Sequence, residues 1–198
     1  MDFKKSEETV IKCELQSGQI KPFIGSCYEF NPQERYVIFR NGGISDGAYV
    51  RIASMCIGQV FHFVRCDCYD QLSQALELIA GKENSVLIFA LDQDGRAQGP
   101  LEHINAIKRM DELGGDTYEV LPDKRDYKNV AEILRNLGLS KLKLYTNNPD
   151  KTEALKHLGF DVEQISLETI VTAYNLRYME QKRRHVHNLQ LNGKENIG

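Results

Sequence analysis

The sequence lacks an excess of either charge. Its 25 Lys and Arg residues stand against 28 Asp and Glu, a formal net charge of -3. No global basic field therefore exists to hold nucleic acid non-specifically. No stretch of eighteen apolar residues occurs, so no membrane-spanning helix is expected. The start, Met1-Asp2-Phe3-Lys4-Lys5, carries no apolar core of a secretory signal. There is no internal repeat and no Cys-x-x-Cys pair. The five cysteines are an odd number. Without a signal, the expected home is the reducing cytoplasm, where clustered cysteines serve metals or catalysis more often than disulfides.

What is present is a patterned chain of 198 residues, a length that suits one domain with appendages. Residues 1–33 read as a weakly patterned lead-in, 34–190 as the main domain and 191–198 as a mobile tail. Strand-like runs fall at 36–40, 48–52, 60–64, 85–91 and 141–145, and another begins at Phe160. Helical spacing predicts a helix over 69–80. Further helices end at the Gly114-Gly115, Gly138 and Gly159 stops. Pro149 suits the first turn of the last of these. The basic stretch 174–187 reads as a possible further helix. Strands alternating with helices predict an α/β (α+β) domain, a mixed β-sheet core flanked by helices.

Cys56, Cys66 and Cys68 fall within thirteen residues, just ahead of the 69–80 helix. Thiolates suit zinc, and three protein ligands leave a fourth position open for water. The same spacing also fits buried thiols on neighbouring strands, and both readings stand on spacing alone. His62 is a candidate fourth ligand or a half-exposed strand residue. Three polar loops follow: Asp94-Gly95-Arg96, Asp123-Lys124-Arg125-Asp126, and Thr146-Asn147-Asn148-Pro149-Asp150-Lys151. The last offers a helix N-terminus and a lysine to an anion. Arg51 lies close ahead of Cys56. Each loop alone fits ordinary capping, with Asp126 or Thr146 as the cap. Together with the cysteines they favour a metal-assisted site for an anionic ligand.

The order of these motifs resembles the GTP cyclohydrolase II family of riboflavin biosynthesis, over about 51–189. Arg65-Cys66-Asp67-Cys68-Tyr69-Asp70-Gln71-Leu72 is similar to the family's Arg-Cys-Asp-Cys-x-x-Gln-Leu. Asp94-Gly95-Arg96 stands where the family has Glu-Gly-Arg. Gly115-Asp116-Thr117, Asp123-x-Arg125, Thr146-Asn147-Asn148-Pro149-x-Lys151, Tyr178-Met179-x-x-Lys182 and His187-x-Leu189 follow in the family's order. The resemblance implies a mixed-sheet fold, a homodimer, one zinc per subunit on Cys56, Cys66 and Cys68, and magnesium with the triphosphate. It implies zinc-hydroxide attack at C8 of GTP, release of formate and pyrophosphate, and a diaminopyrimidinone ribosyl phosphate product. Arg125 matches the proposed nucleophile at the α-phosphate, although a protonated guanidinium better suits stabilising phosphoryl charge. Asp123 matches the proton acceptor. Arg51, Gln71, Asp94, Gly95, Arg96, Thr117, Thr146 and Lys151 would bind the nucleotide.

The chain departs from the family pattern at specific places. Ala53 and Met55 stand where the family has histidine and glutamate, and Ile107 aligns with its helix tyrosine. Polar groups facing the base discriminate strongly between substrates. Two alternatives follow: a divergent paralogue that acts on another nucleotide or performs one hydrolytic step, and a non-catalytic nucleotide-binding protein stabilised by zinc.

Overall fold

In the computed structural model, residues 3–113, 121–168 and 170–185 are described. The motif residues Gly115, Asp116 and Thr117, the pair His187 and Leu189, and the tail 191–198 lie outside them.

Eight strands form one mixed sheet in the order β1-β3-β4-β6-β5-β7-β8, with β2 also paired to β3. These are β1 Lys4–Lys5, β2 Thr9–Glu14, β3 Ile20–Asn31, β4 Glu34–Asn41, β5 Ala48–Ser54, β6 Ser85–Ala90, β7 Lys141–Tyr145 and β8 Asp161–Ile165. The pairings β1–β3, β2–β3, β3–β4 and β4–β6 are antiparallel. The pairings β5–β6, β5–β7 and β7–β8 are parallel. The helices are α1 Ile57–Val60, α2 Cys68–Ala80, α3 Asp94–Ala97, α4 Gly99–Leu113, α5 Lys128–Asn136, α6 Pro149–His157 and α7 Leu176–His185.

Strands β5 and β6 are buried along most of their length because both faces of the sheet are covered. On one face, Ala75 and Ile79 of α2 pack with Ala53, Leu87 and Phe23. On the other, Val130, Ile133 and Leu134 of α5 and Leu155 of α6 meet Val50, Ile52, Val86, Ile88 and Leu144. Each such aliphatic side chain stabilises the fold by about 1.5–3 kcal/mol on burial. The chain leaves β5 towards β6 on one side and later returns as β7 on the other. The carboxyl ends of β5 and β7 therefore flank a topological switch point, where open α/β sheets bind ligands.

Three expectations are corrected. Residues 3–33, weakly patterned in sequence, are more than a lead-in: β1, β2 and β3 belong to the main sheet, and Leu15 and Phe23 are core residues. Their alternation is muted because β2 lies at an edge with mostly exposed residues. The apolar run 60–64 is no strand. Val60 closes α1, and His62 takes a positive φ of 49°, which breaks the two-residue alternation. The cap of α6 is Asn148, whose side chain accepts from Asp150 N; Thr146 Oγ1 accepts instead from Asn148 N at 3.1 Å.

Candidate metal and nucleotide site

A cavity of about 420 Å³ opens at the carboxyl ends of β5 and β7, beside the 93–96 turn that follows β6. Its metal end is built by a tight return of the chain. Cys56 directly follows the Ala53-Ser54-Met55 exit of β5. Gln59 N donates to Cys56 O at 2.9 Å, Phe63 N to Gly58 O at 2.9 Å and Cys66 N to Phe63 O at 3.2 Å. Cys68 then opens α2. The result brings the three Sγ atoms within 4.8 Å of one another. Gly58 is required here, because a Cβ would lie 2.6 Å from Cys66 Sγ and 3.3 Å from Cys56 Sγ. The adjacent Cys66 thiol, ahead of burial, pushes Cys56 up to about 12. Hydrogen bonding with Cys56 and Cys66, then burial, raises Cys68 as well. A bound cation reverses this logic and deprotonates the thiols. His62 is exposed and stacks on Tyr69, with ring centroids 4.0 Å apart. No metal-capable group among the described residues includes it.

Asp94 is a brace. Its Oδ1 accepts from Ile57 N at 3.1 Å and Gly95 N at 2.9 Å, and lies 2.9 Å from His103 Nδ1. One carboxylate thus joins the peptide after Cys56 to helix α4. The turn that carries it runs through left-handed backbone at Gly95, Arg96 and Ala97 (φ 56°, 55° and 65°). Two of those residues are not glycine, a conformation that persists only where surrounding structure enforces it. A Cβ on Gly95 would stand 3.1 Å from His103 Cβ, so the glycine also allows the helix to approach.

The remaining walls are cationic. Buried Arg51 donates from Nη1 to Tyr145 O and from Nη2 to Gln71 Oε1, both at 2.9 Å. Burial lowers its pKa to about 10, with Asp67 opposing, so it stays charged at neutral pH. Gln71 in turn donates to Asp67. Lys151 Nζ donates to Ile52 O at 3.0 Å, and Arg96 Nη1 to Leu121 O at 2.7 Å. Arg125 is gripped by Asp123 through Nε at 2.8 Å, its own backbone N at 3.0 Å and Nη2. Burial works against the Arg125 charge and the Asp123 carboxylate outweighs it, so the guanidinium is held protonated. Burial likewise raises Asp123, and the Arg125 bonds overcome that, leaving its carboxyl below the usual range. Among the described residues no Asp or Glu lines the cavity, while Arg51, Arg65, Arg96, Arg125, Lys151 and Arg177 do. Such a lining suits a polyanion.

Ten of the predicted site residues therefore line one cavity: the three cysteines, Arg51, Gln71, Gly95, Arg96, Arg125, Thr146 and Lys151. Asp94 and Asp123 stand behind this lining as partners of His103 and Arg125, and Thr117 lies outside the described residues. Ala53, Met55 and Ile107 also line the cavity. Sequence reasoning missed His103, Gln59 and the Ser54–Gln93 pair, whose Oγ to Oε1 distance is 2.8 Å. His103 was accessible through spacing: with Ala106 and Ile107 it makes an i, i+3, i+4 set that faces the same cavity.

A cluster of three thiols and several cations lining one cavity define a class: an α/β protein with a candidate metal and anion site at the carboxyl ends of its parallel strands. A model of the family described as GTP cyclohydrolase II matches residues 7–166. The chain belongs to that family. It is 42% identical over 142 residues to the riboflavin biosynthesis protein RibBA of Aquifex aeolicus, covering 68% of this chain and 35% of the relative. It is 35% identical over 188 residues to GTP cyclohydrolase-2 of Archaeoglobus fulgidus, covering 91% and 49%. It is 37% identical over 164 residues to GTP cyclohydrolase-2 of Hahella chejuensis, covering 78% of each. The chain spans 35% and 40% of the lengths of two of the RibBA relatives it matches.

Proposed function

We propose that this chain is a zinc-dependent hydrolase that opens the imidazole ring of GTP at C8, releasing formate and pyrophosphate and leaving a diaminopyrimidinone ribosyl phosphate. The observation that carries it is the meeting of three thiols, within 4.8 Å of one another, with a cation-lined cavity. The donor set fits zinc: tetrahedral thiolates at about 2.3 Å from the ion sit about 3.8 Å apart, a spacing compatible with three sulfurs that all lie within 4.8 Å of one another. Bound there, zinc supplies a Lewis acid and lowers the pKa of a water to near neutrality. Arg51, Arg96 and Lys151 hold phosphate and ribose, with Gln71, Gly95, Thr117 and the Thr146 loop completing the nucleotide contacts. Arg125, fixed as a cation by Asp123, stabilises charge at the α-phosphate rather than attacking it. Asp123 is the proton acceptor, and magnesium accompanies the triphosphate. The reading includes a homodimer in the cytoplasm. No described helix is long and apolar enough to cross a membrane.

Ala53, Met55 and Ile107 favour a second reading. They place apolar groups on the cavity wall near Cys56, where the base would meet the metal. Such a wall offers no paired hydrogen bonds to a guanine edge, which suits another nucleotide or a single hydrolytic step. Incubation of the zinc-loaded protein with each nucleoside triphosphate and magnesium, followed by mass detection, separates the two. The expected outcome is formate, pyrophosphate and the ring-opened product from GTP. Product from a different nucleotide, or formate without pyrophosphate, establishes the second reading. Zinc-loaded protein that changes no nucleotide defeats both.

A further inference from the structure

We propose that Gln59 reads the nucleobase, with its Oε1 accepting an N–H of the purine. The proposal rests on the reading of this cavity as a nucleotide site. Gln59 Oε1 is buried, and among the described residues no donor reaches it. The residue lines the cavity. Native structures leave few buried polar atoms without a partner, and each exception calls for a cause. Here the cavity supplies one, since a bound ligand can bring the donor that the protein does not.

The other glutamines of the cavity set Gln59 apart. Gln71 is committed at both ends of its amide: Oε1 accepts from Arg51 Nη2 at 2.9 Å, and Nε2 donates to Asp67. Gln93 Oε1 accepts from Ser54 Oγ at 2.8 Å. Of the three glutamines in the lining, Gln59 is the one whose acceptor stays open. Among the described residues no Asp or Glu lines the cavity, so no side-chain carboxylate is there to take the N–H groups of a base. An amide oxygen takes on that task.

The placement of Gln59 suits the role. Its backbone N donates to Cys56 O at 2.9 Å. Gly58, just before it, lies against the sulfurs of Cys56 and Cys66. The amide is therefore carried at the thiol end of the cavity, where the proposed reaction places the purine. Ala53, Met55, Phe63 and Ile107 line the same cavity. Ligand sites combine such apolar surface with a few polar groups that fix orientation. A site built to bond a substrate N–H rejects an analogue that lacks it, because its own acceptor is then left unpaired.

Isothermal titration of the zinc-loaded protein, with magnesium withheld, tests this with GTP, ATP and purine riboside 5′-triphosphate. The last keeps the purine ring and the phosphates but carries no N–H on its base. The parent is expected to bind GTP or ATP about tenfold more tightly than this analogue, the worth of one hydrogen bond. Gln59→Met keeps the length of the side chain and removes the acceptor, and is expected to lose that preference. Gln59→Asn draws the acceptor back along the chain; it carries the same expectation and decides if Gln59→Met fails to fold. A parent that binds the analogue as tightly as GTP and ATP overturns the proposal, as does a preference that survives undiminished in the folded variants. A parent that binds none of the three overturns the nucleotide reading itself.

Discussion

Asp123 and Arg125 are two residues apart and bonded through three contacts, a local fork that needs no tertiary help to form. Its effect is to commit Arg125 to a cationic role and to keep Asp123 ionised. The lowered Asp123 pKa gives a pH signature. A carboxyl whose folded pKa lies below its unfolded value stabilises the native state above the unfolded pKa, about 3.9. That stabilisation disappears as pH falls through the lower folded value. Asp123→Asn is therefore expected to destabilise the protein by about 1.5–3 kcal/mol at pH 7. The gap between parent and variant in urea unfolding should close as the pH is taken below that of the free carboxylate. A gap that stays constant into acid would show that the pair contributes nothing through its charge. Arg51 is a different case at the same scale: its Nε is buried without a partner, an open donor on a guanidinium that otherwise ties β7 to α2.

At the scale of elements, the four-residue helix α1 decides the geometry of the thiols. Its sequence, Ile57-Gly58-Gln59-Val60, has neither a capping side chain nor an acidic first turn. It forms because Gly58 can lie against the sulfurs. Gly58→Ala is expected to leave the sheet intact by circular dichroism while weakening zinc binding tenfold or more in chelator competition, since a Cβ at 2.6 Å from Cys66 Sγ forces the cluster apart. Retained affinity would mean that the loop has more room than the packing shows. This element was the least legible from sequence. The run Val60-Phe61-His62-Phe63-Val64 carries strand composition, and only the tertiary demand of the cysteines overrides it. Where a segment is buried on both faces or has one clear helical stripe, the pattern was sufficient. Strands β6 and β7 and helices α2 and α5 fall where periodicity places them. The site was legible in its thiols and cations, whose residue types carry their chemistry openly. For His103 the spacing shows only that it shares a helix face with Ala106 and Ile107; that it meets the Asp94 carboxylate is visible only in the structure.

The whole molecule joins an antiparallel half to a parallel half through the β4–β6 pairing. Phe23 of β3, buried against α2, ties the N-terminal strands to the helix that carries Cys68. Phe23→Ala is expected to cost about 3–5 kcal/mol and to leave unfolding a single transition by calorimetry and fluorescence. A separate early transition would mark residues 1–33 as an independent unit. The family match beginning at residue 7 agrees with the continuous sheet.

The close sequence spacing of Cys56, Cys66 and Cys68 has a consequence for the denatured chain. Closing so short a loop costs little entropy, and the cost grows only slowly with length. The thiols can therefore gather around an ion with no sheet present, whereas Arg51 and Lys151 meet only across a hundred residues of chain. Any affinity the unfolded chain keeps for the metal subtracts from the stability that binding confers on the native one. On the zinc reading proposed above, the metal would hold this fold together less firmly than its affinity implies, and what makes the native state distinct is the non-local wall of cations and the Asp94 brace.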